Sequence, residues 1–158
     1  MNNKLIDYVD FSIIKESVDS RYIGSKFEVY KNLLPIQKGA VSERIVKDVL
    51  KKAGYSVEPK VNIEHDFLFE GIKTELKSGT LNKDIDSFSF LQIRKDYDYN
   101  TLMLATFLPN DLRIFTLSKD RVMQLIELGL MRPCQDSMYK WNPTMDELIN
   151  NTIEILVK

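Results

Sequence analysis

Residues Thr101 to Leu108, TLMLATFL, carry no charge and only two hydroxyls. An uncharged run of that length reads as a β-strand buried on both faces, which demands covering layers above and below its sheet. Helical periodicity elsewhere supplies those layers. Leu5, Val9, Ile13 and Ile14 predict a helix over residues 3 to 20, and Phe27, Tyr30, Leu33 and Leu34 a short one stopped by Pro35. Val41, Ile45, Val49, Leu50 and Ala53 form one apolar arc over residues 40 to 53, closed by Gly54. Ser118 caps a helix carrying Val122, Leu125 and Ile126, ended by Gly129. Thr144 and Glu147 make a capping box for a last helix with Met145, Leu148, Ile149, Ile153 and Leu156.

Strand signals fill the middle. Tyr55 to Pro59 suits a sheet edge, Val61 to Gly79 a hairpin, and Leu112 to Leu117 a strand after the Pro109-Asn110-Asp111 turn. Residues 80 to 86 read as a polar loop and 131 to 143 as irregular, while Ser87 to Arg94 fits strand or helix. The order predicts an α/β sandwich on a mixed sheet of four or five strands. The 158 residues suit a single domain, with N-terminal helices over 1–38, a core over 39–117 and C-terminal helices over 118–158.

A net charge of −1 gives no global field toward nucleic acid or membrane, and leaves room for a local basic groove. Cys134 is the only cysteine, which fits a reducing compartment. No apolar run approaches the roughly 20 residues needed to span a bilayer, and the start lacks a signal-peptide core. A cytoplasmic location is expected.

The hairpin concentrates the chemistry. With Glu70-Gly71 as the turn, Phe69 pairs with Ile72, Phe67 with Thr74, and Asp66 with Glu75. Lys77 shares the face of Asp66 and Glu75. Directly opposed carboxylates repel, so a cation, a proton or Lys77 must offset them, unless the face is simply solvated. Alternation points His65, the single histidine, away from Asp66, as a core or loop residue. Glu43 lies at the edge of its helix's apolar arc, where a surface position is expected from the helix alone. Lys26, Lys31 and Lys38 read as solvated helix faces rather than a DNA-contacting arm. Arg94, Lys95, Tyr97 and Tyr99 are either candidates to touch phosphate and stack on bases or a solvated turn.

Glu43 on a helix, Asp66 on a strand, then Glu75-Leu76-Lys77 nine residues on, then Gln92, resemble the PD-(D/E)xK nuclease superfamily over roughly residues 39 to 117. His65 stands where that pattern often has proline. The resemblance implies a restriction-endonuclease-like core and metal-dependent cleavage of double-stranded DNA. It implies Asp66, Glu75 and the Leu76 main-chain carbonyl as ligands of Mg²⁺, with Mn²⁺ able to substitute, and Glu43 reaching the ion directly or through water. Lys77 would hold the attacking water and Gln92 would order the site. Within the family, a sequence-specific type II restriction enzyme acting as a homodimer is the leading expectation. A structure-specific or repair nuclease and a catalytically silent binding relative are the alternatives.

Overall fold

The computed structural model describes residues 18–156. Of the helix expected over residues 3 to 20, residues 3–17 lie outside the described residues; its last residues are not α-helical, with Asp19 capping a 3-10 turn at Ser20–Tyr22. Four helices follow in the described residues: α1 (Glu28–Lys31), α2 (Pro35–Lys52), α3 (Lys119–Glu127) and α4 (Met145–Asn151). The strands are β1 (Val57–Pro59), β2 (Phe67–Phe69), β3 (Ile72–Thr80), β4 (Phe90–Arg94), β5 (Thr101–Phe107), β6 (Leu112–Ser118), β7 (Arg132–Pro133), β8 (Met138–Trp141) and β9 (Ile153–Glu154). None of the described helices is long and apolar enough to cross a membrane.

The architecture is mixed α/β. One sheet has the order β1-β2-β3-β5-β6-β9, with β3 and β5 parallel and every other pair antiparallel. A second, antiparallel sheet has the order β4-β8-β7. The expected count of four or five strands is thus too low: among the described residues the main sheet has six, and three more stand apart.

β5 does what its uncharged run demands. Leu102 and Leu104 enter one core with Phe90, Ile93, Phe115, Trp141 and Leu148; Met103, Ala105 and Phe107 enter the other with Tyr30, Val46 and Leu50. The second sheet, α3 and α4 cover one face, while α1 and α2 cover the opposite one. Each such fully buried large side chain stabilises the fold by roughly 1.5–3 kcal/mol.

Three departures from the sequence pattern have local causes. The 131–143 segment forms β7 and β8 because Asp136 and Ser137 both take positive φ (46° and 63°), the geometry of a tight hairpin without glycine. The last helix stops at Asn151 rather than running on through Leu156. There Asn151 and Thr152 side chains donate to the Glu147 and Leu148 carbonyls (2.7 and 2.6 Å). Ile153–Glu154 then adds to β6, held by a two-pronged Arg113–Glu154 pair at 2.7 and 2.6 Å. Finally, α2 starts at Pro35, where a missing N–H leaves nothing unsatisfied, and its buried line runs Ser42, Val46, Leu50. Val41, Ile45 and Val49 flank that line. The rotation leaves Glu43 and Lys47 on its shoulder, half-buried.

Candidate active site

The β2–β3 hairpin has the expected register, Phe69 with Ile72 and Phe67 with Thr74, around a Glu70-Gly71 turn with both φ angles positive. It parts one residue early. Asp66 and Glu75 do not form the next ladder pair; the Asp66 N–H donates to the Thr74 carbonyl at 3.0 Å and the chain leaves the sheet. The Asp66 carboxylate turns back and accepts from the Leu76 N–H at 2.7 Å, in place of a strand neighbour. Repulsion between opposed carboxylates explains why the ladder ends there. Within a strand a residue's N–H and C=O leave by the same edge, so the Leu76 carbonyl also leaves toward Asp66.

The parting opens a cleft of about 510 Å³ between this edge of β3, the first turns of α2, and the 82–92 segment. Asp66, Leu76 and Lys77 line it from the hairpin, Glu43 from α2 and Gln92 from β4. Four of the five side chains singled out from sequence, Asp66, Lys77, Glu43 and Gln92, therefore converge. Glu75 lies just behind that wall, 7% exposed, with its Oε1 at 2.7 Å from the Lys77 ammonium. Burial pushes its carboxyl above the ordinary range, Lys77 pulls it back, and the Asp66 charge pushes it up again. The two carboxylates thus feel each other across the Leu76 main chain.

Glu43 is the outlier. It lines the cleft yet pairs with Lys47 one helical turn on, whose ammonium also sits 5.5 Å over the Phe67 ring. Among the described residues no three acidic, histidine or cysteine side chains are grouped to hold an ion together. A hard divalent cation is nevertheless matched by two carboxylates and a carbonyl, since such ions take oxygen ligands and complete their shell with water and phosphate. Asp66, Glu75 and Leu76 offer that set; Glu43 would have to leave Lys47 or act through water.

Gln92 is held in a strained place. It has φ 58°, and with Leu91 it forms a bulge in β4 opposite a single residue of β8, between the Phe90–Trp141 and Ile93–Tyr139 pairs. Bulges of this kind re-aim side chains beside functional sites. Gly79 lets this wall come close: a Cβ there would lie 3.3 Å from the Phe90 ring and from the Ser89 carbonyl.

The residues after Gln92 divide. Arg94 stacks over Tyr97 at 4.7 Å and is near enough to Glu75 to favour its ionised form. Lys95 sits 5.8 Å over Tyr139. Both aromatic–cation pairs are half-buried surface features, compatible with contact to a polyanion. Tyr99 is not: it is 2% exposed, in the β4-side core, with the Lys119 ammonium 4.8 Å over its ring. Its assignment as a base-stacking candidate is corrected to a core residue, because the turn into β5 points it inward. Its buried hydroxyl has no hydrogen-bond partner, and burial together with the Glu75 charge keeps it protonated well beyond the usual tyrosine range. His65 is buried as expected, its ring nitrogens meeting the Val61 N–H (3.2 Å) and the Asn62 side chain (2.9 Å).

Several lining residues carried no sequence signal. Ser42, Ser78, Thr80, Asn82 and Ser89 become neighbours only once the sheet is assembled. Lys38 looked like one more solvated lysine, and it lines the cleft as well.

No protein-family model matches this chain, and no curated protein does. Among solved structures that match is a bacterial homing endonuclease, I-Ssp6803I, 12% identical, over 70% of this chain and 75% of that one, with a TM-score of 0.48.

Proposed function

We propose that this protein is a divalent-metal-dependent phosphodiesterase acting on double-stranded DNA, with a PD-(D/E)xK-type site on a restriction-endonuclease-like core. One observation carries the reading: the open edge of β3 brings Asp66, the Leu76 main chain and Lys77 into one cleft, with Glu75 held 2.7 Å from Lys77 behind it. Asp66, Glu75 and the Leu76 carbonyl would hold Mg²⁺, or Mn²⁺ in its place, with Glu43 contributing through water. The ion, when bound, acidifies a water and stabilises charge building on the phosphate.

The chain's own groups have distinct tasks. The Leu76 N–H fixes one carboxylate oxygen of Asp66 and orients the other toward ligand. Lys77 has three N–H donors and spends one on Glu75, leaving two for the attacking water and a phosphate oxygen. Held this way it stabilises charge without reorganising during reaction. The Gln92 amide, fixed by its bulge, orders water or phosphate at the opposite wall. We read the enzyme as a sequence-specific cutter of restriction type, acting as a homodimer so that each copy cuts one strand.

A second reading is favoured by the pairing of Glu43 with Lys47 and of Glu75 with Lys77, and by the lack of a ready-made cluster of three carboxylates among the described residues. On that reading the protein binds DNA without cutting it. Supercoiled plasmid incubated with Mg²⁺ decides between them, with EDTA, Asp66→Ala and Lys77→Ala as controls. Discrete fragments from the wild type alone support the restriction-type reading, and a smear supports a non-specific or repair nuclease. A gel shift without cutting supports the silent binder. Neither cutting nor binding overturns both.

A further inference from the structure

Lys38 is out of keeping with its neighbours. It lies one helical turn before Ser42 on α2, and both line the cleft. It is half-buried, and burial disfavours its charged form. Among the described residues its ammonium has no hydrogen bond and no ion pair, although the cleft carries two carboxylates. Both are engaged elsewhere, Glu43 by Lys47 and Asp66 by the Leu76 N–H. Its charge acts on another cation, Lys31, which is itself occupied by Thr80 Oγ1 at 3.1 Å, the Leu81 carbonyl at 2.5 Å and Asp19 at 3.8 Å. A partly desolvated ammonium with no counter-charge is costly unless an anion arrives. Asp66 is anchored at Leu76, whereas Lys38 acts on Lys31, which bonds to Thr80 and Leu81 further along the chain, so the cleft has an acidic end at Asp66 and a cationic end at Lys38, with Ser42 and Ser78 also in its lining.

We propose that Lys38 binds the phosphodiester group next to the one held at Asp66 and Lys77, so that the cleft grips one nucleic-acid strand across two consecutive phosphates. Lysine serves here as a point charge. The assignment rests on the phosphodiesterase reading for the role of the first phosphate, and its test separates the two. It is a binding contact, distinct from the residues that meet the reacting atoms.

The probe is a fluorescein-labelled DNA duplex, titrated by anisotropy in EDTA over a range of salt. Lys38→Met keeps the aliphatic stem and removes the charge; Lys38→Arg keeps a charge; Lys51→Met removes an exposed charge from the same helix. Losing one phosphate contact lowers the slope of log K against log salt by about 0.9. That loss is expected in Lys38→Met alone, with Lys38→Arg and Lys51→Met within error of wild type. In Mg²⁺, Lys38→Met should raise KM about five- to tenfold with kcat within about twofold, the mark of lost uniform binding. If the wild type cuts and Lys38→Met matches it in slope and KM, the subsite is wrong. An equal slope loss in Lys51→Met, or a wild type that does not bind the duplex, overturns it too. If the wild type binds without cutting and the slope loss is specific to Lys38→Met, the subsite stands and the phosphodiesterase reading falls.

Discussion

Residues Ile72–Thr74 of β3 pair with β2, and Thr74–Thr80 pair with β5, so the strand changes partners at Thr74. The first half belongs to an ordinary hairpin. The second half has lost its β2 neighbour, and its exposed edge is met by a side chain, Asp66, at Leu76 and by the cleft beyond. A backbone hydrogen bond contributes about 0.5–1.5 kcal/mol net, and leaving a buried group unpaired costs about 1–3 kcal/mol. Abandoning a strand edge is therefore tolerated only where side chains, water or a ligand replace the missing partner. On the proposed reading, β3 is structural where it is paired with β2 and chemical where that pairing stops.

The largest test of that contrast is Lys77→Met. The side chain lies in the open half, and its removal should lower turnover by about 10²–10³ while the hairpin half of the fold persists. Single-turnover cleavage of plasmid at saturating enzyme reads the chemical step, and circular dichroism reads the fold. Cutting at the wild-type rate would reduce the open edge to a scaffold.

Next comes the metal. Burial holds the Glu75 carboxyl above its ordinary 4.5, so the folded protein binds this proton more tightly than the unfolded chain. Metal-free stability should then fall as pH rises from 4.5 through that raised value, where the folded state retains a proton that the unfolded state has lost. Glu75→Gln should flatten this fall. Mg²⁺ should reverse it above the window, adding about 2.7 kcal/mol at a hundredfold excess over Kd. Differential scanning calorimetry at several pH values, with EDTA or Mg²⁺, reads both effects. Identical melting in EDTA and in millimolar metal would remove the ion from the open half.

How much of this was legible in the chain follows from how local each signal is. The two-sided burial of β5 and the register of β2 against β3 are written in adjacent residues, and both appear as expected. Asp66, Lys77 and Glu43 could be named because each sits on or beside an element whose periodicity is clear, whereas Gln92, on a stretch that fits strand or helix, is named by the resemblance alone. Part of what escaped depends on events between distant segments. The rotation of α2 that buries Ser42 and Val46 depends on packing that no window of residues contains, while the end of the ladder at Phe67 is the relief of a carboxylate repulsion that is local but whose outcome the residues leave open. Tyr99 was misassigned because its neighbours Tyr97 and Asp98 are surface residues, while the turn into β5 carries Tyr99 inward. β7 and β8 were missed because Asp136 and Ser137 make a hairpin turn that glycine usually announces.

A smaller test probes the wall facing the open edge. Gln92 at φ 58° stores backbone strain of about 1–2 kcal/mol. Gln92→Gly should melt at the same temperature or higher and cut about tenfold more slowly, because the amide is lost while the bulge relaxes. Gln92→Ala keeps the strain, so it should lose rate with stability close to that of the wild type. Thermal melts run beside initial cleavage rates separate these outcomes, and a glycine variant that cuts at full speed would leave the bulge purely architectural.

The smallest effect belongs to the closed side of the sheet. Tyr99 buries a hydroxyl that bonds to nothing, beside Glu75 and under Lys119. An unpaired buried hydroxyl is a net cost, so Tyr99→Phe should leave stability unchanged or raise it by up to about 1 kcal/mol. For a chain of this size that is a rise of roughly 2–4 °C in Tm. The ring's packing against the β4-side core is retained, so DNA binding and cleavage should not change. A large loss of activity in Tyr99→Phe, with the fold intact, would show that the hydroxyl reaches Glu75 when the cleft is loaded. In that case the closed side would take part in the chemistry, and the boundary drawn at Thr74 would separate the backbone pairing of β3 without separating its function.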